Sequence, residues 1–347
     1  MVNKLLNYVS EEKRPLVNRL LGYPRESVGS IMSVDFLKAK INTEKSKILK
    51  RVLESDIDAK NLEVIWIVDQ TLKLVGFVYL ADLYRLKNES ILEILNPIIA
   101  YVQTTDDQEI AAKMVNRYHL EALPVVDSEG RLVGSIITEI ILDVMALEFE
   151  EDLLNLQGIT SSPEDDEIYL ETSIFKISKK RFSWLIILMF TATVTSMLIQ
   201  KYEAVLASSV ALIAYIPVLM DTGGNSGSQS TTTVIHSLAK DEIQFSDFFK
   251  VLFKEMRIGL LVGFIMSIVN FARIMLMDSV GTMVALTVSL TLWITLIVSK
   301  SIGGVLPLLA VKLKQDPTVM AGPLITTLVD TTALIVYFEI AKVFLSL

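Results

Sequence analysis

From residue 182 to the end, apolar runs follow one another with only short polar breaks. A run of about 20 apolar residues crosses a bilayer as one helix. Five spans are expected: 182–201, a second that starts near 204 and continues through "YIPVLM", 255–277, 282–311 and 318–345. The first half is different. Residues 1–175 carry 30 acidic and 18 basic side chains, and residues 176–347 carry 10 and 14. An acidic soluble part followed by an α-helical membrane part is the expected architecture. The N-terminus "MVNKLLNYVSEEKRP" has no apolar core of signal-peptide length, so the soluble half is expected in the cytoplasm. The basic residues agree. Lys176, Lys179, Lys180 and Arg181 precede the first span, and Lys240, Lys250, Lys254 and Arg257 lie between the second and third. Lys312 and Lys314 lie between the fourth and fifth, whereas the opposite side has only Lys201, Arg273 and Lys342. The positive-inside rule then places the C-terminus outside.

Polar residues inside the spans carry the functional argument. The second span runs into "MDTGGNSGSQSTT", residues 220–232, which in hydrocarbon must be a polar wall buried in protein or a surface loop. Asn225 and Gln229 are four apart and share a helix face, and Gly223, Gly224 and Gly227 permit close helix approach. The fifth span places Asp330 near mid-bilayer, with Thr326 and Thr327 on its face and Pro323 one turn back. An intramembrane acid is costly and marks either an ion pathway or a helix–helix contact. Neutral oxygens and one carboxylate suit a hard cation that keeps its water, whereas an anion path would want inward basic groups. Lys300, inside the fourth span, is the exception. It can snorkel, form a buried ion pair or repel competing cations. There is no cysteine, and His119 and His236 are the only histidines, which argues against thiolate or histidine-rich metal sites. No nucleophile–base pair or closed ligand set points to an enzyme.

The soluble half contains a repeat. Residues 68–76, "VDQTLKLVG", match residues 126–134, "VDSEGRLVG", at an offset of 58. Apolar strand-like runs flank each copy, so the expected unit is strand, tight turn, strand, helix, with an amphipathic helix upstream. Residues 93–171 hold 18 acids against Lys113, Arg117 and Arg131. The segment 139–158 has helical spacing and the acids Asp143, Glu148, Glu150, Glu151 and Asp152, followed by "PEDDE" at 163–167. Such a run is either a solvated face or a set of mutually repelling charges that a divalent cation draws together.

Four passages resemble the MgtE family of magnesium channels and transporters: "YPRESVGSIM" at 23–32, the repeat, "PVLMDTGGNSGSQST", and "DPTVMAGPLITTLVDTTALIVYF" at 316–338. The resemblance divides the chain into a remnant helical segment (1–23), a cytosolic α/β CBS pair (24–138), an acidic connecting, plug-like helix and linker (139–175), and a five-helix transmembrane pore domain (176–347). Only "LLNYVSEEKRPLVNRLLGYP" stands where the family usually has a longer helical N-terminal domain, which puts regulation by that domain in doubt. The resemblance implies a homodimer in the cell membrane, in contact with lipid, with a two-fold pore lined by the second and fifth spans. Asp330 matches the central ion-binding aspartate. Asn225, Thr326, Thr327, Gly224 and Gln229 join it in the expected pore set. Asp143, Glu148, Glu151 and Asp152, with Asp316 at the entrance of the last span, form the expected regulatory Mg2+ set, which closes the pore when cytosolic Mg2+ is high. Thr138 and Glu139 are weak candidates for an adenine nucleotide, and nucleic acid is not expected as a partner. The leading expectation is a Mg2+ channel or facilitative transporter. An ion-coupled secondary transporter and a CBS-regulated channel for another ion are the alternatives.

Overall fold

The computed structural model describes residues 18, 20–159, 168–318 and 322–345. The expected remnant segment 1–23 lies mostly outside the described residues, and "PEDDE" wholly outside. The chain divides into two compact units between Glu150 and Glu151, inside one helix.

The first unit is built twice. After helix α1 (Val28–Ile31), strand β1 (Lys38–Lys40) and helix α2 (Lys45–Glu54) come the hairpin β2 (Val64–Val68) and β3 (Leu74–Tyr79), helix α3 (Leu80–Arg85) and strand β4 (Asn96–Pro97). β2 reads "VIWIV". β-Branched and aromatic side chains suit a strand covered on both faces, and all five residues are buried. The second copy has β5 (Val102–Gln103), helix α4 (Gln108–Tyr118), hairpin β6 (Ala122–Val126) and β7 (Leu132–Ile137), and the long helix α5 (Thr138–Leu156). The sheets have the orders β1-β2-β3-β4 and β5-β6-β7. In each, a parallel pair (β1 with β2, β5 with β6) precedes the antiparallel hairpin. The offset of 58 holds down to the irregularity in the ladder, at Ile67/Val68 in one hairpin and Val125/Val126 in the other. The two copies join through a cluster that includes Val64, Trp66, Val68 and Leu132, and the Trp66 indole donates to Ser135 Oγ at 3.1 Å. Isolated β-bridges at Ser33–Ser135 and Lys73–Arg131 continue the join.

The second unit is helical. Its elements are α6 (Ile174–Lys201), the short α7 (Glu203–Ser208), α8 (Ile216–Ala239), α9 (Phe248–Met277), α10 (Thr282–Lys312) and α11 (Gly322–Leu345). α9 packs along α10, α8 along both α10 and α11, and α6 along α11. An apolar cluster of Leu212, Tyr215, Leu219, Leu292, Leu334, Tyr337 and Phe338 joins α8, α10 and α11, and Tyr337 donates its hydroxyl to the Leu212 carbonyl. Among the described residues four helices are long and apolar enough to cross a membrane: α6, α9 with its preceding turn, α10 and α11. α8 is not among them, so the count of five spans is not reproduced on apolarity alone. The reason is local: "DTGGNSGSQSTTT" fills its middle. None of the most apolar stretch of α6 is buried against the rest of the chain.

Candidate ion pathway

Of the two states expected for the polar stretch, the structure shows the helical polar wall, and its residues divide into two faces by helical spacing. Asp221, Asn225 and Gln229 stand four apart on one exposed stripe of α8. Gly223, Gly224, Gly227, Ser230 and Thr231 are buried on the other side. The glycines explain how a polar helix packs so closely. A Cβ on Gly224 would lie 3.1 Å from Thr326 Cγ2 of α11, and one on Gly223 would lie 2.9 Å from Val329 Cγ1 and from Thr295 Cγ2. Gly224, expected in the pore set, therefore serves as the point of close approach to α11, while the stripe beside it is open. Asp221 was not singled out by sequence reasoning. Its position four residues before Asn225 was the available signal.

On α11, Thr326, Thr327 and Asp330 are half-buried. The contacts of Gly224 with Thr326 and of Gly223 with Val329 set the register between α8 and α11. They bring Asp330 to the level of the Asp221 end of the stripe, where the Asp221 carboxylate acts on it electrostatically. Many hydroxyls nearby are already used. Thr233 donates to the Gln229 carbonyl, Thr331 to that of Thr327 and Thr332 to that of Leu328, all at 2.8–2.9 Å. This back-bonding keeps polar side chains satisfied within their own helix.

The seam between α8 and α10 contains a second arrangement that spacing did not reveal. Pro307 lies inside α10, buried, and has no N–H for the carbonyl of Gly303 four residues earlier. The Thr231 hydroxyl of α8 donates to that carbonyl at 2.8 Å. Ser299 donates back to the Gly223 carbonyl at 2.5 Å. Hydrogen bonds in both directions thus tie α10 to the glycine-rich side of α8.

The expected regulatory acids are placed along and beyond α5. Ile141 and Val144 are its buried residues, while Asp143 and Asp152 are exposed. Glu148 accepts from Gln108 Nε2 at 2.7 Å, and Glu151 is half-buried. Asp316 accepts from the Thr318 N–H at 2.8 Å and hydroxyl at 2.6 Å, and from Asn155 Nδ2 of α5 at 3.3 Å. Among the described residues no group of three or more Asp, Glu, His or Cys converges as a metal cage. The nucleotide candidates have partners at the surface of the first unit. Thr138 donates to the Leu120 and Glu121 carbonyls, and Glu139 pairs with Lys60 at 2.5 Å.

A duplicated α/β unit joined to helices long and apolar enough to cross a membrane, packed around a helix with a polar stripe, has the features of a membrane transport protein. Family models agree: residues 216–340 match MgtE, divalent cation transporter, and residues 91–146 match the CBS domain. The chain is 33% identical over 349 residues to the magnesium transporter MgtE of Thermus thermophilus, covering 99% of this chain and 75% of that protein. It is 28% identical to the magnesium transporter MgtE of Bacillus subtilis, covering 98% of this chain and 74% of that protein. The chain belongs to the MgtE family. Among solved structures, the cytosolic domain of the Mg2+ channel MgtE in complex with ATP aligns at 31% identity and a TM-score of 0.39, covering 41% of this chain and 58% of that one.

Proposed function

We propose that this protein carries Mg2+ into the cell as a channel or facilitative transporter. It works as a homodimer whose two-fold axis runs between paired α8 and α11 helices. The observation that carries this reading is the open stripe Asp221, Asn225 and Gln229, on a helix whose opposite face is fully packed, at the level of Asp330. A stripe of oxygen ligands inside apolar surroundings needs a polar neighbour. A second copy across a two-fold axis supplies one and encloses water and an ion. On this reading α8 is a fifth membrane span, shielded from lipid, the first unit is cytosolic, and the C-terminus is outside.

Mg2+ dehydrates reluctantly and takes oxygen ligands. Asp330, with Asn225, Gln229 and Thr327 nearby, therefore binds the ion through its water shell, and Asp221 adds charge on the outer side. The magnesium transporter names of the relatives support the choice of ion. Gating follows from the end of α5: Glu151 and Asp152, with Asp316 at the entrance of α11, bind cytosolic Mg2+ weakly and hold the pore shut.

The test is Mg2+ flux into lipid vesicles containing the purified protein. Asp330→Asn should abolish flux while the dimer remains intact, and Asp221→Asn should lower flux without abolishing it. Wild-type flux from a folded Asp330→Asn dimer would remove Asp330 from the pathway.

A further inference from the structure

Among the described residues only two charged side chains are buried: Glu255 of α9, 6% exposed, and Lys300 of α10, 5% exposed. They are opposite in sign and share one seam. Gly259 of α9 lies against the backbone of Leu296 and Ile297, and Gly263 against Trp293. Gly304 lies against the Glu255 side chain itself. Residues 293, 296, 297, 300 and 304 thus form the stripe of α10 that faces α9, with Lys300 near its centre. Lys300 stands four residues before Gly304, about 6 Å along the helix, and no direct ion pair joins it to Glu255.

Glu255 also reaches the pore helix. Ser230 of α8 donates its hydroxyl to Glu255 Oε2 at 2.6 Å, and Ser230 is itself buried. It follows Gln229 of the open stripe directly. Three helices therefore meet at one carboxylate. A buried charge without a counter-charge is expensive in hydrocarbon, and attraction across a low-dielectric seam is not screened by water or salt. We propose that Glu255 and Lys300 are a mutually compensating charge pair behind the pore wall, and that Glu255 is a positioning residue. Through Ser230 it sets the orientation of the α8 stripe that meets the ion. Lys300 is the tethered cation that balances this carboxylate within the same seam.

This inference rests on α8 forming the ion pathway. Its test uses the full chain, purified as the assembled protein, with melting temperature and Mg2+ flux into vesicles both measured. Glu255→Gln and Lys300→Met each leave one charge uncompensated. Each should lower the melting temperature and cut the initial rate about tenfold or more. The double variant should recover both to within about twofold of wild type. If a single variant yields no assembled protein, that counts as its loss, and the double variant still decides. A double variant as defective as the worse single one, or single variants like wild type, overturns the pairing. Ser230→Ala keeps both charges. It should lower the maximal rate and, by removing a donor to a buried carboxylate, the melting temperature, while leaving the half-saturating Mg2+ concentration unchanged, and an unaltered rate overturns the positioning role. Asp330→Asn separates the two readings: flux that survives it, in a folded protein, defeats the pore assignment without touching the charge pair.

Discussion

At residue 72 the backbone takes a conformation that leucine tolerates poorly. Leu72 has φ 66°, and the equivalent turn position in the second copy is Gly130, with φ 78°. The left-handed region costs a side-chain-bearing residue about 1–2 kcal/mol, part of which glycine returns through unfolded-chain entropy. Leu72→Gly should therefore stabilise the first unit by about 0.5–1 kcal/mol, read as a rise in denaturation midpoint, and Gly130→Leu should destabilise it. The aspartates of the same two turns are also equivalent. The Thr71 hydroxyl, with N–H groups of Thr71 and Lys73, holds Asp69 below the usual carboxylate range, although burial opposes it. Burial acts on Asp127 to raise it, but hydrogen bonds from Arg131 and from the Glu129 N–H outweigh this and lower it. A depressed folded-state pKa gives stabilisation that is complete above the ordinary Asp value, about 3.9, and is lost as pH falls through the folded value. Denaturation of the first unit should therefore become easier below about pH 4. Asp127→Asn should weaken that unit at pH 7 and flatten its acid dependence, and an unchanged acid limb in this variant would mean other carboxylates carry it.

Between elements, the bond from Thr231 to the Gly303 carbonyl matters most, because Pro307 leaves that carbonyl without a partner in its own helix. Thr231→Val keeps the shape and deletes the donor. A buried acceptor left unsatisfied costs about 1–3 kcal/mol, so this variant should melt lower, and Thr231→Ser should recover most of the loss. Valine and serine variants of equal stability would show that a water or a shifted helix replaces the hydroxyl. The repeat unit was legible from "VDQTLKLVG" and "VDSEGRLVG", because turn chemistry and strand patterning are local. For "MDTGGNSGSQSTT" the chain alone left two states open, a surface loop and a helical polar wall. Three glycines and a row of hydroxyls read as a turn in water, and only packing against α10 and α11 makes that helix the better state. The close approach at Gly224 and the carbonyl left free by Pro307 likewise depend on partners remote in sequence.

For the whole molecule, the proposed gate predicts a response to internal Mg2+. A few weak sites that favour a compact state suffice, since each 1.4 kcal/mol of differential affinity shifts the equilibrium about tenfold. Neutralising Glu151 and Asp152 together should leave currents open at millimolar internal Mg2+ in inside-out patches, on the order at which wild type closes. Closure at the same concentration in both would return this acidic run to a solvated face. The working unit should be a dimer, and full Mg2+ flux from a demonstrated monomer in lipid would exclude the two-fold pathway. By itself the sequence determined the split into an acidic soluble half and a membrane half, the duplication in the first, and the candidacy of Asp330, Asn225 and Gln229. Apolar run length, repeat offset and residue chemistry are properties of the chain read in order. Only the tertiary structure decided that Asp221 joins the open stripe, that Gly224 is a contact point, and that Glu255 and Lys300 face one seam. Those facts turn on helix rotation and register, which are set by which side chains find room against a neighbour.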